Sequence, residues 1–267
     1  MLPPPDVKLV ATDLDGTLLR SDGKISDRTR EALLAVEATG IEVVFVTGRP
    51  LRWARDVFEY VGGHGLAIIS NGALVWDVAR DDVQLVRAIE PEVGLEVGEL
   101  MRGAIPDTHF AVESLEGIAL EAGFLERFPV PDGARRGTLE QIFRAPALKL
   151  LARHESLPAQ EFWDRAAVAV GERVVVTWSS SSSLLEISAA QVTKASTLEL
   201  LCAARGISAS EVVAFGDMPN DIPLLEWAGT SYAMSNAHPT VIAAAERIAP
   251  SNDEDGVAVL LEKLLDQ

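Results

Sequence analysis

The chain has 267 residues, enough for one large domain or two modest ones, and 48% hydrophobic with 24% charged residues is the make-up of a globular protein. Its net charge of −17 argues against nucleic acid or an anionic membrane surface as a partner, because phosphate-rich surfaces demand a basic footprint. A small phosphorylated ligand stays open, since a divalent cation and one or two basic side chains can make a single site locally positive.

No apolar run has the length of a membrane-spanning helix. Met1-Leu2-Pro3-Pro4-Pro5-Asp6 has neither the basic nor the apolar region of a secretory signal. Cys202 is the single cysteine, so no internal disulfide forms and a reducing, cytoplasmic setting is expected. It sits in the helical apolar stretch Leu198–Ala203 and reads as a packing residue.

Taken in chain order, Val7–Thr12 is a buried strand that runs into Asp13-Leu14-Asp15-Gly16-Thr17. Ser26 can cap a helix that reaches Thr39, where Gly40 stops it. Ile41–Val46 is a second strand, followed by Thr47-Gly48-Arg49-Pro50, with Pro50 placed to open the next helix. Leu66–Ser70 is a third strand. This alternation predicts an α/β fold, a doubly wound, Rossmann-like parallel sheet with right-handed crossovers.

The pattern breaks at Trp76–Asp82. Strands at Thr108–Glu113, Leu148–Ala152 and Arg173–Trp178, with helices at Pro91–Arg102 and Pro158–Val170, predict an inserted α+β unit with an antiparallel sheet. Ser179–Ser183 reads as a loop between two strands. Alternation returns after Gln191 with a helix at Lys194–Arg205 and a strand at Val212–Phe215 that ends in Gly216-Asp217-Met218-Pro219-Asn220-Asp221. A short strand at Thr230–Met234 and helices after Pro239 and Gly256 complete it. The expected organisation is a core of residues 1–81 and 188–267 around an insertion at 82–187, hinged at Trp76–Asp82 and Ser188–Thr193.

Four core segments share one property: Asp13/Asp15, Thr47-Gly48, Lys194 and Asp217/Asn220/Asp221 all stand at strand ends or helix starts. In a parallel sheet those ends lie on one rim, where ligands bind. Taken singly, each has a plain structural reading: an Asp-Gly turn, a helix cap, a solvated lysine, a turn into a helix. Together they fit phosphoryl transfer. Asp13 would attack phosphorus and form an acyl phosphate, and Asp15 would protonate the leaving oxygen and later deprotonate water. Thr47 with the Gly48 region would bind phosphoryl oxygens, and Lys194 would balance their charge. Asp13, the Asp15 carbonyl, Asp217 and Asp221 would hold Mg²⁺, Asp221 directly or through water.

Asp13-Leu14-Asp15-Gly16-Thr17, Thr47-Gly48-Arg49, Lys194 and Gly216–Asp221 resemble the four motifs of the haloacid dehalogenase superfamily of phosphatases. Ser70-Asn71-Gly72-Ala73, Asn236-Ala237 and Ala249–Val257 resemble its Cof-type branch, class IIB, which carries an α+β cap between the second and third motifs. The resemblance implies Asp13 as nucleophile, Asp15 as acid/base, and Thr47 and Lys194 on the phosphate. It implies Asp217 and Asp221 on the metal, with Asn220 supporting the phosphate or the metal's water shell. By the same likeness Asn71 and Gly72 lie at the substrate entrance, although an Asn-Gly turn explains them as well. Where the family often has glycine after the lysine, this chain has Ala195.

The expected function is a Mg²⁺-dependent phosphatase of a small phosphorylated metabolite, such as a sugar phosphate. A phosphosugar mutase or a non-catalytic ligand-binding module is the alternative. Arg49 fits either the phosphate or a nearby acid. Glu113 and Arg144 are possible cap positions facing the site, with Glu113 read as a surface acid. His64, His109, His154 and His238 show no metal-ligand spacing.

Overall fold

The computed structural model describes residues 6–61, 65–178 and 183–266. One sheet is begun by β1 (Leu9–Thr12), α1 (Asp27–Ala38), β2 (Glu42–Val46), α2 (Leu51–Val61), β3 (Leu66–Ile69), β4 (Leu74–Asp77) and β5 (Asp82–Val86). A second unit follows: α3 (Pro91–Ala104), β6 (His109–Ser114), β7 (Gly117–Glu121), β8 (Arg135–Gly137), α4 (Leu139–Ile142), β9 (Lys149–Arg153), α5 (Ala159–Val170), β10 (Val174–Thr177) and β11 (Leu184–Ala189). The chain then returns to the first sheet through α6 (Lys194–Arg205), β12 (Val212–Gly216), α7 (Ile222–Trp227), β13 (Thr230–Met234), α8 (Pro239–Ala244), β14 (Arg247–Ala249) and α9 (Gly256–Leu265).

The first sheet runs β14-β13-β12-β1-β2-β3-β4-β5, with the strands from β14 to β3 parallel. β1 lies between β12 and β2 and all four of its residues are buried, which is why this segment reads as an unbroken apolar run. Ser26 caps α1, its hydroxyl accepting the Thr29 amide at 3.0 Å. Registration pairs Thr12 with Phe215 on one side and Phe45 on the other. The residues that follow these strands therefore leave the sheet at one edge.

The boundary expected at residue 82 differs from the strand pairing. β4 and β5 form an antiparallel hairpin on the edge of the first sheet, so the Trp76–Asp82 segment expected as a hinge is the end and turn of that hairpin. Asp81, at φ +48°, accepts hydrogen bonds from Trp76 Nε1 at 3.1 Å and Arg55 Nη2 at 2.8 Å, which tie the turn to α2. The charged stretch Arg80-Asp81-Asp82 mimics a linker because an edge turn is as solvated as one.

The second sheet has the order β10-β11-β9-β6-β7-β8 and is antiparallel except where β8 joins β7. α3 and α5 cover one face over a core that includes Phe110, Leu150, Phe162 and Leu185. The opposite face carries Ala111, Ile118, Leu120 and Phe124, with Leu151 and Leu184 against them. Residues 1–5, His64 and Ser179–Ser182 lie outside the described residues, so of the expected serine loop only Ser183 is described. Among the described residues no helix is long and apolar enough to cross a membrane.

Candidate active site

Three strands and one helix deliver polar residues to the same rim. Asp13 follows β1, and its amide donates to the Phe215 carbonyl of β12 at 3.1 Å. Thr47 follows β2, Asp217 follows β12, and Lys194 opens α6 behind a Thr193 cap that accepts the Ser196 amide. The buried Ala195 continues that first turn without disturbing the cap.

Lys194 is 1% exposed and donates to Asp13 Oδ1 at 2.6 Å and to Asp221 Oδ1 at 2.5 Å. Asp221 also accepts the amides of Asp217 and Met218, at 3.1 and 3.0 Å, so it is clamped from three directions. Thr17 donates to Asp217 at 3.2 Å. Burial, reinforced by Asp221, Asp217 and Asp15, raises the Asp13 carboxyl well above the usual range against the pull of Lys194. Burial and Asp221 push Asp217 up to about 7. The two carboxylates outweigh the burial of Lys194 and raise its pKa, so it stays charged.

Gly16 supplies the turn between Asp15 and Thr17. Its φ is +76°, and a Cβ there would lie 2.2 Å from Asp217 Oδ2. Only glycine combines that backbone with so close an approach. Asn236 donates to the Gly16 carbonyl at 2.8 Å and Asn252 to that of Leu19 at 2.8 Å, so the C-terminal segments brace the loop.

On the other side of the rim the Thr47 hydroxyl accepts the Arg49 amide at 3.0 Å, which leaves its proton free to donate. Asn220 Nδ2 donates to Asn71 Oδ1 at 3.0 Å, and Asn71 Nδ2 donates to Glu186 Oε2 of β11 at 2.5 Å. Asn71 is buried at φ +57°, so more than a plain surface turn holds it. Gly72 instead packs on α6, where its carbonyl accepts the Thr197 hydroxyl at 2.7 Å. Lys149 of β9 donates to the Gly48 carbonyl at 2.6 Å and pairs with Glu186 at 3.2 Å.

A cavity of about 410 Å³ opens between the sheets, lined by Asp13, Asp15, Thr47, Gly48, Asp217 and Asn220 on one side and by Glu113, Lys149, Leu151, Arg153 and Glu186 on the other. That volume is within the usual range of ligand pockets, roughly 300–1,000 Å³. Arg49 holds Asp15 in a two-point pair, at 2.7 and 2.6 Å, so the nearby acid it meets is Asp15. Glu113 is 3% exposed and ion-paired to Arg52 of α2, which corrects its reading as a surface acid. Arg144 is exposed and away from the cavity. His154 accepts the Ser156 and Leu157 amides and His238 caps α8, while His109 packs on Gly123.

A profile of haloacid dehalogenase-like hydrolases matches residues 10–261. The chain belongs to this family. It is a haloacid dehalogenase phosphatase of the Cof type, a phosphoric monoester hydrolase. The 5-amino-6-(5-phospho-D-ribitylamino)uracil phosphatase YcsE of Bacillus subtilis (strain 168) is 28% identical over 95% of this chain and 94% of its own. The crystal structure of SMU.1108c from Streptococcus mutans UA159, 25% identical, covers 98% of this chain and 100% of that one with a TM-score of 0.86. The subclass IIB sugar phosphatase BT4131 is 22% identical and shares the fold, with a TM-score of 0.79 over 96% of this chain and 98% of its own.

The donor set of this haloacid dehalogenase phosphatase suits a hard divalent cation. Asp13, Asp217 and Asp221 are buried and each offers one carboxylate oxygen within 4.8 Å of the others. Three carboxylates against the one ammonium of Lys194 leave surplus negative charge, which adds to burial, the larger cause, in raising Asp13 and Asp217. An all-oxygen anionic set of this kind fits Mg²⁺ or a similar ion. Arg49, Arg52, Lys149 and Glu186 are site residues that sequence reasoning missed or left unassigned. Three of them have no motif of their own, and only the docking of the second sheet reveals them.

Proposed function

We propose that the chain is a Mg²⁺-dependent, cytoplasmic phosphatase acting on a small phosphorylated sugar or sugar alcohol through an aspartyl phosphate. The observation that carries this reading is the convergence of Asp13, Lys194, Asp217 and Asp221, from three distant segments, beside a cavity lined by Asp13, Asp15, Thr47 and Asp217. Phosphorylated sugar chemistry is supported by YcsE, whose name gives a phosphoribityl substrate.

In the first step an Asp13 carboxylate oxygen attacks phosphorus, the ester P–O bond breaks, and Asp15 gives its proton to the leaving oxygen. In the second, Asp15 takes a proton from water, whose oxygen attacks phosphorus and frees Asp13 and inorganic phosphate. Asp15 must part from Arg49 far enough to reach those oxygens. Lys194 and the Thr47 hydroxyl, with the Gly48 segment, bind phosphoryl oxygens and balance their charge. Among the described residues the buried Asn220 Oδ1 has no partner, an acceptor that suits a water molecule better than a phosphoryl oxygen. Asp13, the Asp15 carbonyl and Asp217 would hold Mg²⁺, with Asp221 behind them as the clamp on Lys194. The ion would supply charge compensation that lets an anionic nucleophile meet an anionic phosphate.

The second sheet is the cap in this reading, spanning residues 87–190 because β5 pairs with β4 in the first sheet. Asn71 lies at the entrance, hydrogen-bonded to both sides, while Gly72 shapes the loop that carries it.

The test is phosphate release from a panel of sugar phosphates, polyol phosphates, nucleotides and p-nitrophenyl phosphate, with Mg²⁺, with chelator, and with Asp13→Asn. Metal-dependent turnover that disappears in the variant is the expected result. Turnover that persists in Asp13→Asn would exclude the aspartyl phosphate, and phosphate exchange between sugar bisphosphates without net release would mark a mutase.

A further inference from the structure

The cavity is chemically graded along β9. Lys149, Leu151 and Arg153 face it in turn, while Leu150 and Ala152 point into the core beneath α3 and α5. Lys149, beside the first sheet, is satisfied by the Gly48 carbonyl and Glu186. Leu151 lies in an apolar band with Ile118, Leu120 and Leu184. Arg153 stands four residues beyond Lys149, roughly 13 Å at about 3.3 Å per strand residue, and ends the gradient with a charge.

Arg153 differs from the other cations of the cavity wall. Arg49 is paired with Asp15, Arg52 with Glu113, Arg127 with Glu155 and Lys149 with Glu186. Among the described residues the Arg153 guanidinium has no ion pair and no hydrogen bond, although it is 3% exposed and its Nε is fully buried. Its neighbours are the Phe124 ring, 5.5 Å away, and the charges of Arg127 and Glu155; burial, then Arg127, lowers its pKa against the opposing pull of Glu155, which makes no ion pair with it. The ring face holds the cation but offers no hydrogen-bond acceptor, and a buried donor without an acceptor marks a position that something else must satisfy. A filler at this end of an apolar band would be leucine or methionine.

We propose that Arg153 binds a second anionic group of the substrate, a carboxylate or phosphate at the far end of the leaving group. This rests on the phosphatase reading and narrows it to elongated, doubly anionic substrates. The scissile phosphate lies at Asp13, the carbon chain crosses the apolar band, and the distal oxyanion accepts from Arg153. A leaving group that ends in a hydroxyl leaves the guanidinium without its counter-charge.

The experiment compares substrates matched except at the distal end: glucose 6-phosphate, 6-phosphogluconate and glucose 1,6-bisphosphate, with p-nitrophenyl phosphate as the reference. The wild type should show a KM roughly tenfold or more lower for the doubly anionic compounds, the worth of one charge-assisted contact. Preference for 6-phosphogluconate marks a carboxylate and for the bisphosphate a phosphate. Arg153→Met should erase the preference by raising KM with kcat little changed, leave p-nitrophenyl phosphate hydrolysis as it was, and Arg153→Lys should restore part of it. Equal KM values across the matched set in the wild type would overturn the proposal, whatever the variants do. So would an equal rise for every substrate in Arg153→Met. If the wild type hydrolyses nothing, the phosphatase reading fails. Calorimetric binding of glucose 1,6-bisphosphate against glucose 6-phosphate to wild type and Arg153→Met then decides the anion site separately: tighter bisphosphate binding that the variant loses supports it, and equal binding by the wild type overturns it.

Discussion

Lys194 sets one buried ammonium 2.6 Å from Asp13 and 2.5 Å from Asp221, so a single cation serves carboxylates contributed by opposite ends of the chain. Because nothing else among the described residues offsets Asp13 in this way, removing the ammonium strands two buried acids. Lys194→Met should destabilise the fold by roughly 3–5 kcal/mol, the usual cost of breaking a buried pair. Catalysis should fall by on the order of 10²–10³-fold, as when one donor to a transition-state oxygen is lost. Thermal melts and p-nitrophenyl phosphate kinetics read the two effects apart, and near-normal stability would show that the acids simply protonate.

That possibility leads to pH. Burial and Asp221 raise Asp217 to about 7, and burial raises Asp13 as well. In the unfolded chain both titrate near ~3.9. The native metal-free protein therefore holds protons that the unfolded chain has released, and this contribution to stability is lost as pH rises from about 4 through about 7. In chelator, the melting temperature should be lower at pH 7.5 than at pH 5.5, and added Mg²⁺ should raise it more at pH 7.5. Asp217→Asn should flatten both differences. An equal Mg²⁺ effect at the two pH values would separate the ion from these carboxyls.

The rim residues were legible because each motif is local: a strand end, a helix cap or a glycine turn announces its own geometry. The expected core strands follow from the same logic. Arg49, Arg52, Lys149 and Glu186 act through partners distant in sequence, and Lys149-Leu150-Leu151-Ala152-Arg153 alternates as any strand with one solvated face would. Nothing local tells that this polar face looks into a cavity. The β4–β5 hairpin was hidden for a related reason, since Asp82-Val83-Gln84-Leu85-Val86 has the pattern of a strand but nothing local tells which sheet it joins.

Gly16 is the turn where backbone and packing demands coincide. Alanine there would meet Asp217 Oδ2 at 2.2 Å while holding a left-handed φ of +76°. The loop can relieve this only by moving Asp15 or Asp217. Gly16→Ala should thus lower kcat by on the order of 10²-fold, the scale of an ångström's misplacement in a catalytic site. Its midpoint for Mg²⁺ activation should rise as well. Titrating Mg²⁺ against rate tests this, and an unchanged midpoint would mean that Asp217 does not move.

Arg52 of α2 and Glu113 of β6 connect the two sheets across the cavity, at 2.5 Å. The carboxylate is nearly buried and its partner also stacks 4.0 Å over Trp53, which in turn meets the Phe128 ring edge-on at 5.4 Å. Arg52→Met would leave Glu113 charged and unpaired in that closed arrangement, so the sheets should separate and KM for small phosphates should rise roughly tenfold, about 1.4 kcal/mol. Replacing both, Arg52→Met with Glu113→Leu, removes the stranded charge along with the pair. Buried pairs exchanged for apolar residues are often neutral, whereas half-removed ones are not. The double variant should therefore recover a lower KM than Arg52→Met alone. If the two changes simply add, the pair does not hold the sheets together.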